Sequence, residues 1–286
     1  MQESLLVIQK IKAMYQNKSV SKADSLIADY IIENPDCLLD ATAYSLAEAS
    51  GTSPATVIRF CRKLGFSGFS DLKSKASNYL VDNAQDMSLK RGDDVGMVKS
   101  KVINYTKMIM DQLEQSLNND ALARAADLIA NAKRVLIVSE GGSGTISRAA
   151  YDIFLKLAIP CTCVEDIMFQ MMELSMMDKD DVVFIIVNSG RTWNVLENAA
   201  YARECGLKII GMVGLEDTPL SQYLDVEIHT NVFSSDYFSD ISSARACELV
   251  TVSILHSIIA LSRTDEQLER SRQIGLSLER KRVPPK

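Results

Sequence analysis

Residues 45–73 read SLAEASGTSPATVIRFCRKLGFSGFSDLK, and this stretch sets the fold of the first part of the chain. Thr42 is placed to cap a helix that ends at Gly51, because Thr is a favoured N-cap and Gly a favoured C-terminal residue. Ser53 and Pro54 then begin a second helix, with Pro at the first helical position. Two short helices joined by a tight turn are typical of a helix-turn-helix.

The second helix of this stretch has two distinct faces. Apolar residues recur at i, i+3, i+4 and i+7, which predicts one buried stripe; they are Val57, Phe60, Cys61 and Leu64. The polar face is free to enter a major groove, where Arg59 can reach a guanine edge or a phosphate. The predicted DNA-binding residues are Thr52, Ser53, Thr56, Arg59, Arg62, Lys63 and Lys73, with Lys75 as a further phosphate contact. A plain helical hairpin with a solvated charged face would show the same pattern.

The amino-acid sequence of residues 53–73, SPATVIRFCRKLGFSGFSDLK, is specific enough to indicate a protein family. It resembles the N-terminal domain of RpiR-type transcription regulators over about residues 1–80. The resemblance implies an all-helical DNA-binding domain and a sugar-responsive partner domain. A local basic patch agrees with it, since residues 59–75 hold five basic side chains and one acidic one in a chain of net charge −6.

Working outward, helices are predicted from Ser21 to about Asn34, over 69–80 and from Lys99 to about 117. The polar stretch 82–97 reads as a linker. The predicted organisation is a helix-turn-helix domain over 1–80, a linker and connecting helix over 81–119, an α/β domain over 120–262 and a C-terminal tail over 263–286.

From Leu122 onward, short apolar runs alternate with helix-length segments, which is typical of a parallel sheet covered on both faces. The predicted strands are 134–138, 160–164, 181–187, 207–213 and 225–229, followed by a long helix over 239–261. The expected fold is therefore a doubly wound, five-stranded parallel sheet with flavodoxin-like order 2-1-3-4-5.

Two loops of this sheet have the composition of an anion site. Residues 139–144, SEGGSG, follow the first strand, and residues 188–192, NSGRT, follow the third. Glycines let backbone amides approach a phosphate at a helix N-terminus. In the order 2-1-3-4-5 the first and third strands are neighbours, so both loops are expected to line one crevice. We call these two loops together the cradle.

The cradle resembles that of the SIS, or sugar isomerase, domain over about residues 120–262. The resemblance implies that a phosphosugar is held by Gly142, Ser143, Gly144, Ser189, Gly190, Arg191 and Thr192, with Glu165 bonding sugar hydroxyls. Three positions depart from the family pattern: Ser139 stands for the usual Gly, Val187 for a Ser and Asn194 for a Glu. The loss of that Glu removes a polar contact or a base.

Composition narrows the remaining chemistry. The six cysteines lack zinc-ligand spacing, and His229 and His256 are the only histidines, so no metal site, catalytic residue or cofactor is predicted. No signal-peptide pattern and no run of eighteen apolar residues occurs, so a cytoplasmic location without membrane contact is expected. The Met-rich stretch 168–177 is expected to pack as adaptable core or to lie at a subunit interface.

Three functions are compatible with these features. The favoured one is a non-enzymatic transcription regulator that binds double-stranded operator DNA as a homodimer or homotetramer and responds to a small phosphorylated sugar. The alternative is a phosphosugar isomerase or lyase whose N-terminal helices serve assembly; it would need a base near the substrate carbons, which the loops do not supply convincingly. The third is a binding module with a defunct helical domain.

Overall fold

The computed structural model of the chain describes residues 7, 11, 21–34, 37–74, 89, 91–230 and 240–281. The chain divides into two compact units, the first formed by Met1–Gln115 and Ser235–Asp240 and the second by Ser116–Ser234 and Ile241–Lys286. The first unit is all-helical over its described residues, and the second contains the sheet. This agrees with the all-α and α/β classes that the sequence predicts.

The first unit contains a small helical bundle, which we call the head. Its helices are α1 (Lys22–Glu33), α2 (Cys37–Asp40), α3 (Ala43–Ala49) and α4 (Pro54–Lys63), and residues 69–74 are also helical. Side chains from all of them form one buried cluster, which includes Ile27, Leu38, Leu46, Phe60 and Leu72. The rest of the predicted helix 69–80, with Lys75, lies outside the described residues.

The helix α5 (Val95–Ser116) begins before the predicted start at Lys99, because Asp94 Oδ1 accepts a hydrogen bond from the Met97 amide at 2.8 Å. The second unit then continues in regular alternation. Its elements are α6 (Asn119–Asn131), β1 (Val135–Val138), α7 (Gly144–Lys156), β2 (Cys161–Cys163), α8 (Ile167–Ser175), β3 (Val182–Ile186), α9 (Trp193–Glu204), β4 (Lys208–Val213), β5 (Val226–His229), α10 (Asp240–Ser262) and α11 (Asp265–Glu279).

The five strands form one sheet in the order β2-β1-β3-β4-β5, and every neighbouring pair is parallel. The prediction of a doubly wound sheet with order 2-1-3-4-5 is confirmed. The order reverses between β1 and β3, where Val138 pairs with Ile185. Ligands bind at such a switch point, outside the carboxyl ends of the strands.

Alternate residues of each strand enter different cores, as the pleat requires. Val135 and Ile137 face α6, α7 and α10, whereas Leu136 and Val138 face α8 and α9. Both faces are therefore covered by helices, which explains why the strands are apolar without alternation.

The helix α10 is long and rich in apolar residues. Its segment Ala244–Ser262, with a mean hydropathy of 1.5, is long and apolar enough to cross a membrane by length and composition alone, although it contains no run of eighteen apolar residues. Val252, Leu255 and Ile259 pack against the sheet. This face packs as in a core helix, whereas Leu249, Val250 and Leu261 of the same helix are exposed.

Two sequence expectations require correction. The predicted tail 263–286 contains the helix α11, because Thr264 and Gln267 form a capping box that starts it. The Met-rich stretch does not pack as core: Met168, Met172 and Met176 are all exposed by more than half. Only one narrow face of the short helix α8, marked by Leu174, is buried beneath the sheet.

Candidate functional site

The head contains the predicted helix-turn-helix. Thr42 and Ser45 form a capping box that starts α3, and the Ser53 side chain accepts a hydrogen bond from the Thr56 amide at the start of α4. Between them Gly51 has a φ of +64°, the left-handed conformation that favours glycine. The predicted stripe of Val57, Phe60, Cys61 and Leu64 is buried, so the opposite face of α4 is turned to solvent.

The predicted DNA contacts lie on the exposed face of α4 and beside it. Some of these side chains have no partner among the described residues, and others are hydrogen-bonded to a neighbour. Arg59 and Arg62 are exposed, and neither guanidinium has a partner among the described residues. The hydroxyls are engaged locally, with Ser53 Oγ 2.8 Å from Thr56 Oγ1 and Thr52 Oγ1 3.0 Å from Ser50 Oγ. The two arginines are therefore free to reach an anion.

The two lysines are tied to the head itself. Lys63 Nζ lies 2.5 Å from the carboxylate of Asp24 on α1, and Lys73 Nζ donates to the Ala41 carbonyl at 2.9 Å. Burial raises the pKa of the Asp24 carboxyl, but the hydrogen bonds from Lys63 and Ser21 and the charge of Lys63 outweigh it, and the pKa lies below its ordinary value. Lys63 therefore fixes the end of α4 against α1.

An open groove of about 530 Å³ lies beside α4 in the head. Arg62 and Lys73 line it, together with Ile58, Thr42 at the start of α3, and Ser67. The Asp71 carboxylate also lines the groove, and the two cations are the groups there that a phosphate backbone can contact.

In the second unit the structure brings the two cradle loops together. β1 and β3 are paired up to Val138 and Ile185, so residues 139–144 and 188–192 leave the same edge of the sheet side by side. Each loop turns at a left-handed glycine, with φ of +62° at Gly141 and +61° at Gly190. At Gly190 a Cβ atom would lie 2.8 Å from Thr218 Cγ2, so no larger residue fits there without displacing Thr218.

The three predicted phosphate-binding hydroxyls lie on these loops. Ser143 is buried and its Oγ accepts a hydrogen bond from Arg245 at 3.0 Å. Ser189 Oγ accepts from the Arg191 amide at 3.2 Å, and the Thr192 side chain makes no capping bond at the start of α9. Each hydroxyl therefore keeps its own proton for a further acceptor.

Sequence reasoning missed an ion pair that joins the two loops. Arg245 and Glu248 on α10 are bonded to each other; Arg245 also contacts Ser143, and Glu248 is hydrogen-bonded to the Asn188 side chain. Burial raises the pKa of Glu248 above its ordinary value, although the charge and hydrogen bond of Arg245 and the bond from Asn188 oppose the rise. The only sequence signal was two charges three residues apart in an otherwise apolar helix.

A second missed group supports the first loop. Gln170 on α8 is buried and donates to the carbonyls of Ser139 and Val164, at 2.8 Å each. Asn198 on α9 donates to Gln170 Oε1 at 2.9 Å. The cradle is thus positioned by buried polar side chains as well as by its strands.

The side chains of the two remaining predicted ligand residues lie at the surface. Arg191 and Glu165 are exposed, and Glu165 follows β2 next to Asp166, which caps α8. Asn194, at the position of the family's Glu, donates from Nδ2 to Oε1 of Glu140 at 2.9 Å. A carboxylate from the first loop is therefore bound to the first turn of α9, the helix that follows the second loop.

Models of known domains match both units of the chain. The helix-turn-helix domain model of the rpiR family matches residues 5–83, and the SIS domain model matches residues 128–254.

Relatives and solved structures extend over most of the chain. An uncharacterized HTH-type transcriptional regulator of Caldanaerobacter subterraneus is 30% identical over 91% of each chain. The HTH-type transcriptional regulator HexR of Escherichia coli is 26% identical over 90% of this chain and 89% of its own. The structure of Vibrio vulnificus NanR complexed with ManNAc-6P covers 94% of this chain and 98% of its own, with a TM-score of 0.59 and 21% identity, which shows the shared fold. The two domain models and the full-length relatives show that the chain belongs to the RpiR family of HTH-type transcriptional regulators, with an SIS domain as its second unit.

Proposed function

We propose that this regulator binds operator DNA through the exposed face of α4 and is controlled by a small phosphorylated sugar bound in the cradle. The observation that carries the proposal is the meeting of two glycine-containing loops at the β1–β3 switch point, with three hydroxyls and the Arg245 guanidinium around them. Backbone amides, hydroxyls and a guanidinium are the groups that bind phosphate in proteins. The ligand in the NanR structure, ManNAc-6P, supports the same class of effector.

In the head, Arg59 is the proposed base-reading residue, with Thr52, Ser53 and Thr56 beside it at the start of α4. Arg62 and Lys73 line the groove and are proposed to contact phosphates. Lys63 remains a candidate phosphate contact, but its bond to Asp24 makes an anchoring role the larger one. The proposed domain limits remain 1–80, 81–119 and 120–262, with a last segment 263–286 that includes α11.

Two DNA-binding heads would read two operator half-sites, so we propose a homodimer or homotetramer in the cytoplasm. The proposed contact between copies is formed by the exposed side chains of α8 and of the residue that follows it, because adaptable apolar side chains suit such an interface. They are Met168, Phe169, Met172 and Met176. Light scattering of the full chain measures the state, and a monomer that still binds a palindromic operator tightly would contradict this assignment.

We propose that the cradle senses its ligand without turning it over. The isomerase alternative needs a base that reaches the substrate carbons. Glu248 is occupied by Arg245 and Asn188, which leaves Glu140 as the carboxylate with a free oxygen in the cradle. A product assay on any bound sugar phosphate distinguishes a sensor from an isomerase, since sustained isomerisation would establish an enzyme.

The experiment that tests the effector is calorimetry on the full chain with matched phosphorylated and unphosphorylated sugars, after a thermal-shift screen. The phosphorylated member of a pair should bind far more tightly, and it should change the affinity of the protein for operator DNA. Equal affinities within each pair would contradict the cradle as a phosphate site.

A further inference from the structure

The carboxylate of Glu140 connects the first loop of the cradle to α9, which follows the second loop, and only one of its oxygens has a hydrogen-bond donor among the described residues. Glu140 stands immediately before the turn Gly141–Ser143 of the first loop, and its Oε1 accepts from Asn194 near the start of α9. Its second oxygen, Oε2, is shielded from solvent and has no hydrogen-bond partner among the described residues. A buried carboxylate oxygen without a donor is costly, so a donor is expected to come from elsewhere.

The cations of the cradle do not supply that donor. Arg245 is bonded to Ser143 and Glu248, and the Arg191 side chain is exposed. The charge of Glu140 therefore adds to a site that is already proposed to bind a phosphate dianion. A ligand that carried only negative charge would be repelled by it.

The bond between Glu140 and α9 does not by itself require a charge. A glutamine at this position could accept the same hydrogen bond from Asn194, and it would avoid burying an unpaired negative oxygen. The free oxygen and the charge are therefore in excess of what this bond needs, which indicates a role toward a ligand.

We propose that Glu140 is a specificity-determining residue of the cradle. Its Oε2 accepts a hydrogen bond from the non-phosphate end of the effector, and its charge favours an ammonium group there over a hydroxyl. The effector class is then a phosphorylated amino sugar with a free amine. This inference rests on the proposed function of the cradle.

The test is calorimetric titration of the full-length protein with two matched pairs of probes. Glucosamine 6-phosphate is compared with glucose 6-phosphate, and mannosamine 6-phosphate with mannose 6-phosphate. The two pairs present the amine in the two possible configurations of the same sugar carbon. The wild-type protein should bind one amino member at least about ten-fold more tightly than its hydroxyl partner. Glu140→Gln should abolish that preference and leave binding of the hydroxyl member within about three-fold.

The control is Glu197→Gln, the same change at an exposed carboxylate on α9, about one turn after Asn194. This variant should keep the wild-type preference. Thermal melting without ligand checks the fold, and Glu140→Gln should melt no lower than the wild type because it removes a buried unpaired charge. Destabilisation by Glu140→Gln would overturn the argument that the charge is in excess.

The outcomes separate this inference from the proposed function. Sugar phosphates that bind equally well with amine or hydroxyl, or a preference that persists in Glu140→Gln, would overturn the role of Glu140 and leave the cradle intact. If none of the four sugar phosphates, nor inorganic phosphate, binds the wild type, the phosphate cradle itself fails and the inference fails with it.

Discussion

The exposed face of α4 and the cradle both present groups suited to phosphate, but they use charge differently. On α4 the guanidiniums of Arg59 and Arg62 are exposed and have no partner among the described residues. In the cradle Arg245 is bonded to Glu248 and Ser143, and most of the polar groups are hydroxyls and backbone amides. Solvent and salt screen the first surface, whereas short hydrogen bonds in a partly buried site dominate the second. An exposed cation can therefore be lost at little structural cost, and a buried one cannot.

The largest effect is expected for Arg245→Ala, which tests the contrast between an exposed and a partly buried cation. It leaves the buried Glu248 carboxylate without its cation, and removal of one partner of a buried pair costs about 3–5 kcal/mol of unfolding free energy. Urea unfolding measures the change. The matched control is Arg270→Ala, whose partner Glu266 lies on the exposed surface of α11, and no measurable loss is expected there. Similar effects of the two variants would contradict the contrast drawn here.

The next effect concerns the two kinds of cation in the head. Arg59→Ala should weaken specific operator binding by about 1–3 kcal/mol and alter preference at one base position, with unchanged stability. Lys63→Ala should instead lower the melting temperature, because it leaves the buried Asp24 carboxylate without its cation. DNA titrations at two salt concentrations, with melting curves beside them, distinguish the two. If Arg59→Ala binds the operator with wild-type affinity, Arg59 is not a base-reading residue.

A smaller loss is expected for Ser189→Ala in the cradle. One hydrogen bond to a phosphate is removed, so sugar-phosphate affinity should fall about ten-fold. DNA binding without ligand should be unchanged, while the effect of the ligand on DNA should weaken. Ser175→Ala, an exposed serine at the end of α8, is the control for calorimetry. An unchanged affinity in Ser189→Ala would exclude that hydroxyl.

The smallest effect is an opposite response of two buried acids to pH. The pKa of Asp24 is lowered from 3.8, so its stabilisation is present above that value and is lost as the pH falls through the lower, folded-state pKa. The pKa of Glu248 is raised from 4.5, so stability is greatest below that value and decreases as the pH rises through the folded-state pKa. Denaturant unfolding of Asp24→Asn and Glu248→Gln between pH 3 and 7 should flatten opposite limbs of the wild-type profile.

The sequence was sufficient for the parts of the fold that depend on local pattern. Thr42, Ser53 and the stripe from Val57 to Leu64 are local signals, and the structure confirms them. The strand order followed from apolar runs and from the resemblance to the SIS domain. Contacts between distant residues were not readable: Lys63 meets Asp24 across 39 positions, and Arg245 meets Ser143 across 102. A lysine on a polar face and an arginine in an apolar helix give no indication of their partners.

The bond between Lys63 and Asp24 has a consequence for protein engineering. A recognition helix is often regarded as a portable unit, yet here one of its cations is satisfied by a carboxylate on a different helix. Grafting residues 53–64 onto another helix-turn-helix scaffold would leave this ammonium without its carboxylate partner. The graft would then gain a phosphate contact that the native protein restrains, and its DNA affinity would fall more steeply with salt. Transplanting Asp24 and Ser21 together with the helix would keep the native balance between reading bases and attracting phosphates.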